Sequence, residues 1–119
     1  MIREIHKNQF GELEGTVWNE LFQTDLTICF PGEADQAYAQ QCAAYFSNLP
    51  REMVDRLCIY CLRYCDALRN FFGEDEFEIP AGVSGRDILS YITPTLLMAE
   101  TRPNTEGLAF HVECECDWE

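Results

Sequence analysis

From Pro50 to Phe72 the chain runs without a glycine or a second proline, and Gly73 closes the stretch. Proline suits a first helical position and glycine a helix stop, so the stretch predicts one helix about 34 Å long. At about 100° per residue, Cys58, Cys61 and Cys65 fall within roughly 60° of one another. Val54, Leu68 and Phe72 extend the same row, while Glu52, Asp55, Arg56, Arg63, Asp66 and Arg69 flank it. A helix with one apolar row needs a partner surface, and that requirement fixes much of what the rest of the chain must supply.

The row also contains "CIYCLRYC", a C-x2-C-x3-C spacing that suggests metal or thiol chemistry. Zinc asks for four ligands converging tetrahedrally, commonly with a pair on a turn or knuckle. These three sulfurs sit mid-helix without such a turn, so the first reading is core packing. A zinc site joined by Cys114 and Cys116, and a redox pair, are the alternatives. No metal and no cofactor is assigned on these residues.

Ahead of the helix, "QFGELEG" and "TVWNELF" predict a hairpin turning near Gly15. "DLTICF" alternates Leu26, Ile28 and Phe30 against Thr27 and Cys29, and Pro31-Gly32 ends it. "EADQAYAQQCAAYFSNL" predicts a first helix, with Asn48 as a cap for the second. Beyond the second helix come an acidic loop, a short helix capped by Ser84, a strand beginning at Pro94, and a last strand in "LAFHVECECDWE". The expected class is α+β in a single domain spanning residues 1–119. It would hold an antiparallel sheet of about five strands, covered on one face by two long helices and a short third.

Charge constrains function more than any motif does. The 119 residues hold 21 acidic and 8 basic side chains, a net of −13. Nucleic acids and anionic membranes demand clustered Lys and Arg, so neither is an expected partner. No apolar run approaches the ~20 residues of a membrane span, and "MIREIHKNQF" lacks the apolar region of a signal peptide, which predicts a cytoplasmic protein. His6 and His111 lie in no nucleophile motif, and no phosphate-cradling glycine loop or Ser-centred elbow occurs.

The acidity is uneven. Residues 73–119 hold 11 acidic and 2 basic side chains, whereas residues 50–72 are net +1. Two clusters stand out as candidate partner-binding residues. Glu74, Asp75, Glu76 and Glu78 form one, in the acidic loop. Glu113, Glu115, Asp117 and Glu119 form the other, alternating in the last strand with Val112, Cys114, Cys116 and Trp118. Like charges about 7 Å apart along a strand need water, cations or a basic partner. The ladder therefore reads as a solvated, aggregation-blocking edge, a docking surface or a divalent-cation site.

"FGELEG", "QAYAQQCAAYFSNLP", "ITPTLLMAE" and the closing "CDWE" together resemble a bacterial family of domains of unknown function. Some members of that family look like immunity proteins of polymorphic toxin systems. The resemblance implies a sheet-plus-helices fold, no established catalytic residues, and a further turn and strand following Asp-Trp-Glu. It also implies a role in binding a basic, nuclease-type toxin. The expected function is thus a small acidic non-enzymatic binding protein. The alternatives are a metal-dependent enzyme using carboxylates or cysteines, and a housekeeping structural domain.

Overall fold

The computed structural model describes residues 1–73, 83, 85–100 and 107–117. Five strands and two α-helices follow the order expected: β1 (Arg3–Lys7), β2 (Leu13–Asn19), β3 (Thr24–Phe30), α1 (Gln36–Ser47), α2 (Arg51–Phe72), β4 (Ile92–Ala99) and β5 (Phe110–Cys116). Tighter 3-10 turns at Glu33–Asp35 and Gly85–Tyr91 lead into α1 and β4. The chain divides into two compact units, Met1–Asn48 with Pro94–Cys114, and Leu49–Thr93 with Glu115–Glu119.

One sheet runs in the order β1-β2-β3-β4-β5. β1 with β2 and β2 with β3 are antiparallel, but β3 and β4 are parallel, pairing Thr27 with Leu96, Ile28 with Leu97 and Cys29 with Met98. The expected wholly antiparallel sheet is therefore a mixed one. Hairpins reverse a strand, whereas the long helical connection from Phe30 to Ile92 lets β4 re-enter in the direction of β3. Thr95 Oγ1 donates to the Glu113 carbonyl at 3.1 Å, and His111 Nε2 lies 3.0 Å from Met98 Sδ. One strand's numbers rise as the other's fall, so β5 lies antiparallel on β4.

The N-terminal hairpin turns elsewhere than Gly15. The Asn8 N–H donates to the Glu12 carbonyl at 2.8 Å, and Asn8 Oδ1 accepts from Phe10 and Glu12, closing a turn in which Gly11 takes φ +81°. The second turn is held by buried Asn19, whose Oδ1 accepts from the Phe22 N–H at 2.8 Å, with Gln23 at φ +53°. Asparagine side chains mimic a backbone turn, which explains both positions. Gly15 lies inside β2, and its requirement is steric: a Cβ there would stand 2.6 Å from the Arg3 carbonyl oxygen and 2.7 Å from Ile2 Cγ2. The bulge between Arg3 and His6 brings β1 that close.

In the first unit the paired side chains Val17, Leu26, Ile28, Phe30, Leu97 and Ala99 are buried. Helix α1 packs on β2 and β3, contributing Tyr38, Ala39, Cys42, Ala43 and Phe46 to the core. Its rings continue to the sheet edge, since Tyr45 and Phe46 both contact Phe110 at centroid distances of 6.3 and 6.2 Å. Asn48 ends α1 instead of starting α2: its N–H donates to Ala44 and Tyr45, and its side chain also donates to Ala44. The Pro50 carbonyl receives Met53 and Val54 at the start of α2.

In the second unit α2 packs against the 3-10 turn Gly85–Tyr91. Ile88 is fully buried, and Arg86 donates through Nη2 to Asp55 Oδ1 at 3.2 Å. Val54, Cys58 and Cys65 are buried while Cys61 and Leu68 are half-buried, so most of the predicted row holds, but Phe72 is exposed. No described helix is long and apolar enough to cross a membrane.

Gly15→Ala tests the close approach of β1. The clash is with backbone, which cannot swing aside, so unfolding stability should fall by about 2 kcal/mol or more. Urea denaturation measures it, and an unchanged midpoint contradicts the packing described.

Candidate functional site

The sheet's face opposite the Ile28 side is open. Cross-strand register puts Glu14 beside Cys29 and Cys29 beside Met98, and His111 reaches Met98. Glu113 lies two residues beyond His111 and so shares its side of β5. Asn8, Phe10, Glu12, Glu14, Cys29 and Met98, with Leu96, line an open depression of about 370 Å³ on this face. A second depression of about 320 Å³ adjoins it, adding Pro31, Ala99 and Glu100. Phe10 stands at its margin with 76% of its surface exposed.

Ion pairs occupy only part of this face. Arg3 Nη2 meets Asp25 Oδ1 at 2.6 Å, His6 Nε2 lies 3.7 Å from Glu14, and His111 Nδ1 lies 3.7 Å from Glu100. Glu12 and Glu113 have no such partner among the described residues. The arrangement is an apolar patch of half-buried Leu96 and Met98, with exposed Phe10 at its margin and carboxylates around it, the usual layout of a protein-binding patch.

Of the candidate partner-binding residues, Glu113 and Glu115 are exposed on β5, and Asp117 is exposed just beyond it, its N–H bonded to the Tyr91 carbonyl at 2.9 Å. Glu74, Asp75, Glu76, Glu78 and Glu119 lie outside the described residues. Sequence reading missed Glu12, Glu14, Asp25 and Glu100, which strand pairing brings to the face of Glu113. The period-2 alternation in "ELEGTVW" carried the signal, had the strand been started at Leu13. In β5, Val112 and Cys116 are half-buried but Cys114 is exposed, so the alternation predicted there is only partial.

The cysteines carry thiols, with no disulfide among them. Burial pushes the Cys29 thiol up from its ordinary range, and the charges of Glu14 and Glu12 push it further. Burial likewise raises Cys42, Cys58, Cys61 and Cys65. Thiols held protonated are poor nucleophiles, and Cys42, Cys58 and Cys65 are buried in the packing of their helices. Among the described residues, no group of three or more His, Cys, Asp or Glu side chains is placed to hold a metal ion.

What the geometry defines is an α+β protein with a mixed five-stranded sheet on which α1 packs against β2 and β3. The chain belongs to the family of domains of unknown function DUF6985, whose match spans residues 1–119. No curated protein matches it, and no solved structure does.

The raised thiols predict a fall in stability at alkaline pH. The fold favours the protonated form, so their contribution is whole below the ordinary thiol value of 9.0 and is lost as pH rises through it. Urea midpoints should hold up to about pH 8 and drop from about pH 9 upward, less steeply in a Cys58→Ser, Cys65→Ser variant. Equal slopes would show that ionisation of these thiols is not responsible.

Proposed function

We propose that this chain is a non-enzymatic binding protein whose open sheet face covers a basic partner, in the manner of an immunity protein occluding a toxin. The observation that carries the reading is the convergence of Glu12, Glu14 and Glu100 around Leu96 and Met98, with Glu113 exposed on the neighbouring strand β5. An apolar centre supplies burial, and the carboxylate rim supplies steering and register for a positively charged surface. Both depressions open to solvent on the sheet surface, where a protein partner could reach them.

A net charge of −13 supports the same reading, because long-range attraction accelerates encounter with a basic partner. Nuclease-type toxins fit that chemistry, since a cleft that binds phosphate is lined by the Lys and Arg that carboxylates can occupy. The immunity role, the bacterial setting and a cytoplasmic location extend the resemblance of "FGELEG" and "CDWE" to that family. The carboxylates of residues 74–78 and of Glu115, Asp117 and Glu119 add to the same acidic character.

Co-purification with the product of a neighbouring toxin-like gene tests the proposal. The complex should weaken markedly with added salt, and Glu14→Lys or Glu113→Lys should each weaken it about tenfold. A complex indifferent to salt and to both reversals would point to another surface, and the absence of any complex would count against the immunity reading itself.

A further inference from the structure

Helix α2 carries a second apolar row besides the buried one. Met53, Leu57, Tyr60, Tyr64, Ala67 and Phe71 follow one another at steps of 4, 3, 4, 3 and 4 residues. That spacing is a heptad seam, rotated by one residue, about 100°, from the row of Val54, Cys58 and Cys65. Leu57 is half-buried, but Met53 is 42%, Tyr60 65% and Phe71 80% exposed. The seam runs about 27 Å along the helix. An apolar stripe of this length and regularity on a soluble surface marks an interaction site.

Charge says what covers it. Arg56 and Arg63 flank the seam on the side away from the buried row, at the position where coiled coils place partner-selecting charges. Of the carboxylates nearby, Asp55 pairs with Arg86 and Asp66 with Arg69, each at 3.2 Å, while Glu52 lies one turn before Arg56 at the start of the seam. Arg56 and Arg63 have no carboxylate within ion-pair distance among the described residues. The Arg63 guanidinium lies 5.9 Å from the centroid of Tyr60, so one flanking charge is already held over the seam. A second copy of the chain fits poorly. Antiparallel pairing about the helix centre would bring Arg63 to its own counterpart, and parallel pairing would set each arginine against Val54, Cys61 or Leu68.

We propose that this face of α2 docks an amphipathic α-helix of another protein, with an apolar heptad seam flanked by Glu or Asp. The partner's apolar residues interleave with Met53, Tyr60 and Phe71, and its carboxylates pair with Arg56 and Arg63. Although the chain as a whole is strongly negative, charges beyond about 8 Å are screened at physiological salt, so at the middle of the seam Arg56 and Arg63 are the charges a docked helix meets first. This surface is independent of the acidic sheet face and stands or falls separately from it.

The probe is a synthetic four-heptad peptide with Leu at both seam positions and Glu at both flanks, whose like charges keep it from pairing with itself. Its control is a scrambled peptide of the same composition. Fluorescence anisotropy against the full chain should show the heptad peptide binding about tenfold or more tighter than the control. Tyr60→Glu and Arg63→Glu should each weaken it about tenfold, while thermal melting confirms that both exposed-site variants fold. Failure of the heptad peptide to bind, or equal binding by the scrambled one, overturns the proposal. So does a chain that sediments as a dimer and becomes monomeric with Tyr60→Glu, which would assign the seam to a second copy.

Discussion

The parallel contact of β3 with β4 is the constraint on which the first unit depends. It joins Ile28 to Leu97 at the centre of the sheet, where both side chains are wholly buried. Some seventy residues separate these partners in sequence, and closing that connection costs chain entropy that only a well-packed pairing can offset. Burial of Phe30, Leu97 and Ala99 beside the α1 side chains supplies the hydrophobic gain. The same register that places Ile28 and Leu97 inward places Cys29 and Met98 on the opposite face. The core and the candidate binding face are two sides of one pairing.

What sequence made legible were the elements governed by local rules. The α2 boundaries follow from Pro50 and Gly73, and the inward face of β3 follows from Leu26, Ile28 and Phe30. Parallel pairing was not legible, because strand direction is decided by the whole connection and not by either strand. The Gly15 error has a related cause. Glycine signals a turn when φ must be positive, but here it answers a close approach by β1, a tertiary demand invisible in the residue itself. The acidic face was half legible for the same reason: Glu113 and Glu115 show in the alternation of β5, whereas Glu14 and Glu100 join them only through register.

The cysteines show how a motif changes meaning once it has geometry. Counted along the chain, Cys58, Cys61 and Cys65 suggest a ligand set. On α2, Cys58 and Cys65 are buried and Cys61 half-buried, and burial holds all three thiols neutral. A small, weakly polar side chain suits such positions, filling the core volume of a short aliphatic group. Cys29 differs in its surroundings, because Glu12 and Glu14 share its face and oppose a thiolate there. The acidic character of the sheet surface thus reaches into the chemistry of the one thiol that borders it.

Edge protection and partner binding need not be competing explanations of the charged strand. β1 and β5 are the sheet's outer strands, and an unpaired strand edge invites pairing with another chain. β1 is blunted by the bulge between Arg3 and His6 and by Glu4 at φ +56°, which break a regular run of donors and acceptors. β5 exposes Glu113 and Glu115, whose repulsion opposes a second acidic copy. Repulsion of like charge is also attraction of opposite charge. The carboxylates that disfavour a like-charged strand on β5 are thus the same groups that the proposed binding face would present to a basic partner.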